Sequence, residues 1–316
     1  MQKINDNKKK LNEKLDALIF IDTNIFLDFY RLSTDLQIEF LKLIKKNSDL
    51  IIFGTQVLME YKKNRRKEIL NTIANLKTGI ENIQYPAILR ENDLKQIKDL
   101  QNKIKEVHIQ KIEKFNKIYT NPYAEDEVFK TIELLEDEKS PYFLFQKHPK
   151  SDEIFDLAKK RFLCGYPPRK KDDTTLGDAI NWEWIVACCI YSDKDIIIVS
   201  RDGDYGKRHN GEFYLNDWLL HEFKKRTGKK IVLTSELSKA FDLLKIQGVS
   251  EEMKSAEHAI DLESALETLN TALKMRLIKN NYNNSPLYSG LVLEDMNTNS
   301  FGQLDLFSTF EDIGPG

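Results

Sequence analysis

Four short apolar runs, set among segments of helical period, frame this chain. Leu18 to Ile21 is a continuous run of β-forming side chains and reads as a strand buried on both faces. Residues 24–46 then place Ile25, Leu27, Phe29, Leu32, Leu36, Phe40, Leu43 and Ile44 mainly at steps of three and four. That spacing predicts helix, broken near Ser33 and Thr34. Leu50 to Phe53 is the second strand, punctuated by Gly54, and helix resumes from Gln56 to Lys67. Ile196 to Val199 and Ile231 to Leu233 are the third and fourth strands. Alternation of buried strand and helix predicts an α/β fold with a parallel sheet and right-handed crossovers.

Between the second and third strands the pattern turns helical for a long stretch. Ile69, Ile73, Leu76, Ile80 and Ile83 form one stripe, and Leu94, Ile97, Leu100, Ile104, Val107, Ile112, Phe115 and Ile118 another. Tyr85 and Pro86 interrupt them, which predicts an antiparallel helical hairpin ended by Asn121 and Pro122. Periodicity does not separate a structural arm from a substrate-gripping one. A short acidic helix over 124–138, a loop over 140–150 and a helix over 151–162 follow. The segment from Gly165 to Asp173 is an irregular loop, since Pro167 and Pro168 forbid regular helix. The helix from about Leu176 to Tyr191 is apolar nearly all round and should be buried. Asn216 and Asp217 cap another helix, and Thr234 and Ser235 cap one running through Leu244. Residues 250–278 are amphipathic helix, after which the chain becomes rich in Asn and Ser. This divides the chain into a first domain over 1–248, with a helical insertion over about 69–160, and a C-terminal helix with a flexible tail over 249–316.

Composition narrows the picture without deciding it. The 316 residues are 41% hydrophobic, enough for a sizeable core. Forty-eight basic and 50 acidic residues leave a net charge of −2, so any nucleic-acid contact must come from local patches. Cys164, Cys188 and Cys189 cannot form a disulfide framework, and no Cys/His cluster has zinc spacing. The lysine-rich beginning has no apolar segment of a secretory leader, and no stretch approaches a membrane span. The expectation is a soluble, cytoplasmic protein with no membrane partner.

The candidate chemistry lies in four acids. Asp22 and Asp202 follow the first and third strands. Glu60 lies on the helix after the second strand, and Asp178 in the first turn of the buried helix. In a parallel sheet, strand ends and the starts of following helices share one edge, where the working crevice forms. Each acid has a plainer alternative: a turn, a helix cap or a surface ion pair. Gathered together, they repel one another unless a cation is present. Hard oxygen ligands without His or Cys suit Mg²⁺ or Mn²⁺, and such ions support phosphodiester hydrolysis. Asp204 is a further candidate ligand. Arg65 and Arg66 after Glu60, and Lys171 in the proline loop, are candidate phosphate contacts, against the alternative of solvated charge.

The stretches I-F-I-D-T-N, T-Q-V-L-M-E-Y-K-K-N-R-R, G-Y-P-P-R-K-K-D-D-T-T-L-G-D-A-I-N-W and I-I-I-V-S-R-D together resemble the PIN-like nuclease superfamily. The likeness is to larger bacterial PIN-like proteins with an E-Y-x-x-N-R helix and a G-Y-P-P loop. It covers about residues 17–245. It implies a Rossmann-like three-layer α/β/α sandwich and a metal-dependent nuclease, usually an endoribonuclease, with RNA favoured over DNA. Asp22, Glu60, Asp178 and Asp202 match the acidic metal-binding quartet. Thr23, Asn24 and Ser200 match its small polar neighbours, Arg65 matches the arginine after the helix acid, and Asp173 matches the acid after the proline loop. The competing expectation is a non-catalytic nucleic-acid- or protein-binding module. In it the hairpin or tail docks a protein partner, and a homodimer stays among the alternatives.

Overall fold

The computed structural model describes residues 15–81, 90–169 and 175–283. Its centre is a five-stranded sheet of order β3-β2-β1-β4-β7, with every pairing parallel. The strands are β1 (Ala17–Ile21), β2 (Ile51–Gly54), β3 (Phe143–Leu144), β4 (Asp195–Val199) and β7 (Ile231–Thr234). All five residues of β1 are buried, and it pairs with β4 over its whole length, from Ala17 opposite Asp195 to Ile21 opposite Val199. This is why the run from Leu18 to Ile21 carries no polar residue.

Helices flank the sheet. β1 leads into α1 (Thr23–Asp28) and α2 (Thr34–Lys46), broken where Ser33 caps α2, as the sequence predicts. After β2, α3 (Thr55–Glu81) runs out into an arm and α4 (Glu91–Thr120) returns. The two are joined side by side by a contact from the His108 ring to the Leu76 carbonyl, 2.9 Å. The expected break at Tyr85 and Pro86 lies outside the described residues. Two short helices follow, α5 (Pro122–Glu125) and α6 (Glu127–Leu135), and the chain then enters β3. The segment over 140–150, expected to be all loop, contains this edge strand. Two residues carry no periodicity, and Phe143 belongs to the sheet because its ring stacks on Phe53 at 6.0 Å.

α7 (Ser151–Leu163) and α8 (Gly177–Ser192) connect β3 to β4. α8 is buried as expected, although its last turn, with Ile190 and Tyr191, reaches solvent. The Trp184 indole donates to the Phe53 and Tyr142 carbonyls (3.0 and 3.1 Å), which satisfies its one polar atom inside the core. β4 continues into a hairpin of β5 (Gly206–His209) and β6 (Glu212–Leu215), then α9 (Asp217–Thr227), capped by Asn216, and β7. The chain closes with α10 (Leu237–Leu243) and α11 (Glu251–Asn283).

The expected cap of α10 by Thr234 or Ser235 is replaced. Glu257 of α11 reaches across and accepts from the Leu237 and Ser238 amides, both at 2.8 Å. A carboxylate is the stronger ligand for the positive end of a helix. Met253 sits in the main core beside it. No described helix is long and apolar enough to cross a membrane.

The strand order fixes where a site can form. Reading outward from β1, the chain first builds β2 and β3 on one side, then β4 and β7 on the other. The direction of winding reverses between β1 and β4, and a crevice opens beyond their carboxyl ends.

Candidate metal centre

Asp22 and Asp202 stand at that reversal. Asp22 follows β1 and caps α1, its Oδ1 accepting from the Thr23 amide at 2.6 Å. Its Oδ2 accepts from Asn24 Nδ2 at 2.7 Å and from the Ser200 hydroxyl. Ser200, fully buried at the end of β4, also accepts from the Asp202 amide at 3.0 Å. One hydroxyl thus couples the ends of the two central strands. Burial raises the Asp22 carboxyl to about 6, partly offset by the Ser200 bond, while neighbouring Asp202 pushes it up further.

The helix acids arrive from the other wall. Glu60 lies on α3 and is held at both oxygens: Thr23 Oγ1 donates to Oε2 (3.1 Å) and Gln56 Nε2 to Oε1 (2.5 Å). Asp178 stands in the first turn of α8. Gly177 lets that turn approach α3. A Cβ there would sit 2.5 Å from Gln56 Nε2 and 2.7 Å from Glu60 Oε1. Asp178, Asp202 and Asp204 offer carboxylate oxygens within 4.8 Å of one another. The loop is tightened by the Asp204 amide donating to Asp202 Oδ1 at 3.2 Å.

Together these residues wall a cleft of about 290 Å³, lined by Asp22, Thr23, Asn24, Glu60, Asp178 and Asp202, with Leu27, Asn64 and Thr175 completing the rim. Four of the nine lining residues are acids, and among the described residues none of the lining is basic. Beneath it lies Tyr205, whose hydroxyl is pushed well above the usual phenol range by burial and then by Asp178, Asp22, Asp202 and Glu60. Tyr205 Oη and Asn24 Oδ1 are buried with no hydrogen-bond partner among the described residues. All-oxygen donors, crowded negative charge and two spare buried oxygens fit a hard divalent cation such as Mg²⁺ or Mn²⁺.

The remaining expected residues fall differently. Asn24, Thr23 and Ser200 hold acids in place. Arg66 is exposed and lies over the Tyr119 ring at 5.3 Å. Lys171 and Asp173 lie outside the described residues. Arg65 is a correction: it is 3% exposed and not open to phosphate. Its guanidinium binds Asp126 (2.6 Å) and donates to the Ile118 carbonyl (2.6 Å) and the Tyr30 hydroxyl (3.1 Å). A buried guanidinium needs such partners, and sequence displays its charge but not them. Sequence reading also passes over Gln56, Asn64, Thr175 and Tyr205. The first two lie four residues either side of Glu60, one helical turn each way, so helical spacing carries that signal. Nothing local marks Tyr205.

A family model described as the PIN domain matches residues 19–205. No curated protein and no solved structure matches the chain.

Proposed function

The chain belongs to the PIN domain family, generally a metal-dependent nuclease fold, and on that premise we propose that it is a nuclease cutting phosphodiester bonds with Mg²⁺ or Mn²⁺, RNA being the favoured substrate. The observation that carries this reading is the cleft itself: four acids converge where the sheet reverses. Asp22, Glu60, Asp178 and Asp202 would hold the ion, with Asp204 beside them. Bound there, a divalent ion would supply a nucleophilic water at neutral pH and offset negative charge on the phosphate oxygens during an in-line displacement.

The chain's own residues account for the rest. Ser200 and Asn24 fix the Asp22 carboxylate, and Gln56 and Thr23 fix Glu60, so the acids need no rearrangement when substrate arrives. Asn64 and Thr175 offer polar groups on the rim, where a scissile phosphate would lie. Tyr205 is buried behind the acids, its ring packed against Phe20 of β1.

The test is a cleavage assay on labelled single-stranded RNA, single-stranded DNA and duplexes, with Mg²⁺, Mn²⁺ or EDTA. Cutting should require the ion and fall by at least about 100-fold in Asp178→Asn, since losses of outer supporting groups already reach that size. Undiminished cutting by a folded Asp178→Asn protein would overturn the assignment.

A further inference from the structure

The loop joining α7 to α8 carries Gly165, Tyr166, Pro167 and Pro168, a motif that the cleft does not use. Its backbone is tied down around Tyr166. The Tyr166 amide donates to the Arg161 carbonyl at 3.1 Å, the Arg161 guanidinium donates to the Pro167 carbonyl, and Arg169 donates to the Phe162 carbonyl at 2.9 Å. Arg161 is itself buried, and its guanidinium pairs with Glu183 of α8 and Glu222 of α9. Three helices therefore fix the place of one tyrosine.

Its ring leans on Trp218, with centroids 5.2 Å apart and planes 39° from parallel. Trp218 is the second residue of α9. Its amide donates to Asn216 Oδ1 (2.9 Å), the Asn216 amide to the Tyr205 carbonyl (2.8 Å), and the Tyr205 amide to the Asp202 carbonyl (3.2 Å). Three successive hydrogen bonds thus link Trp218 to the carboxylate loop after β4. α8 begins beside Tyr166's loop and presents Asp178 to the cleft. The aromatic pair accordingly stands on the sheet edge that carries the acids. Tyr166 is 41% and Trp218 47% exposed, while the backbone of each is hydrogen-bonded in place. Paired aromatic rings open to solvent offer faces on which a planar group can stack.

We propose that Tyr166 and Trp218 form a stacking subsite for an unpaired nucleobase of a single strand whose backbone crosses the carboxylate cleft. This rests on the nuclease reading and narrows its substrate class. A base inside a duplex has both faces covered by its neighbours, whereas an unpaired base offers a free face to an aromatic ring. Stacking of this kind tolerates any base, so the subsite would confer preference for single strands without reading sequence.

Fluorescence anisotropy decides it, using labelled single-stranded RNA and DNA of about 12 nucleotides and the matching duplex, with Mg²⁺ on the Asp178→Asn background so that nothing is cut. Trp218→Ala and Tyr166→Ala should each weaken single-strand binding by about five- to hundredfold, Trp218→Phe should recover most of it, and duplex binding should change by less than about twofold. Thermal melts confirm that each variant is folded. Unchanged single-strand affinity in both alanine variants would overturn the subsite, while leaving the nuclease reading intact if the wild type cuts. Tighter binding of duplex, lost equally in the alanine variants, would overturn the single-strand preference. No nucleic-acid binding by the parent protein, together with no metal-dependent cutting, would overturn both readings.

Discussion

Asp22 accepts three hydrogen bonds yet sits with a raised pKa, because burial and neighbouring acids outweigh them. The unfolded chain gives up this proton near 3.8 and the folded chain near 6. Between those values only the unfolded state has lost it, so stability falls as pH rises, by a total of about 3 kcal/mol, and the contribution is gone above about 6. Thermal unfolding in EDTA should therefore show a drop between about pH 4 and about pH 6 that Asp22→Asn largely removes, and Mg²⁺ or Mn²⁺ should restore stability above it. An equal drop in the variant would assign the effect to other acids. Legibility at this scale was uneven. Asp22 and Asp202 were legible as candidates because each falls within three residues of the carboxyl end of a buried strand, where a parallel sheet opens its crevice. The role of Arg65 was not, since its partner Asp126 lies far along the chain and answers to no periodicity.

At the scale of elements, α3 does two jobs. Its first three turns present Glu60 and Asn64 to the cleft, with Gln56 bonded to Glu60. The residue after Asn64, Arg65, faces inward and fastens the returning helices. Asp126, 1% exposed, takes the Arg65 guanidinium and the Tyr30 hydroxyl on one oxygen and the Val128 and Phe129 amides on the other. Removing it leaves a buried guanidinium without its counter-charge, a loss of about 3–5 kcal/mol. Urea unfolding of Asp126→Ala should show a midpoint lowered accordingly, and a change below about 1 kcal/mol would mean that water replaces the carboxylate. The longer helices and four of the five central strands were visible as patterns, because each is long or strongly apolar, whereas the one helix expected over 124–138 is split at Asp126 into Pro122–Glu125 and Glu127–Leu135. β3 and the β5–β6 hairpin were not. The first is two residues long, and the second carries Lys207, Arg208 and His209 in place of an alternating apolar face.

Across the whole molecule, residues far apart in sequence close on the same edge. Asp261 of α11 pairs with Arg208 and with Arg201, the residue before Asp202, and Arg201 in turn pairs with Asp28 at the end of α1. Glu257, four residues earlier, caps α10. The last long helix thus braces the loop that carries Asp202, though it lies beyond residue 205, where the family match ends. Glu257→Ala should cost about 1–3 kcal/mol by leaving two buried amides unpaired, read as a lowered melting temperature. No shift in melting would show that the α10 cap contributes nothing. α3 has a consequence of a mechanical kind. At about 1.5 Å per residue, its 27 residues make a rod about 40 Å long. The body grips that rod at many points from Val57 to Ile73, through Tyr61, Arg65 and Ile69. Only the eight residues from there to Glu81, about 12 Å, extend past the last buried apolar side chain described on the helix. A load on that overhang bends a clamped beam rather than tilting it, so the Glu60 carboxylate, about 20 Å inside the clamp, is insulated from the arm.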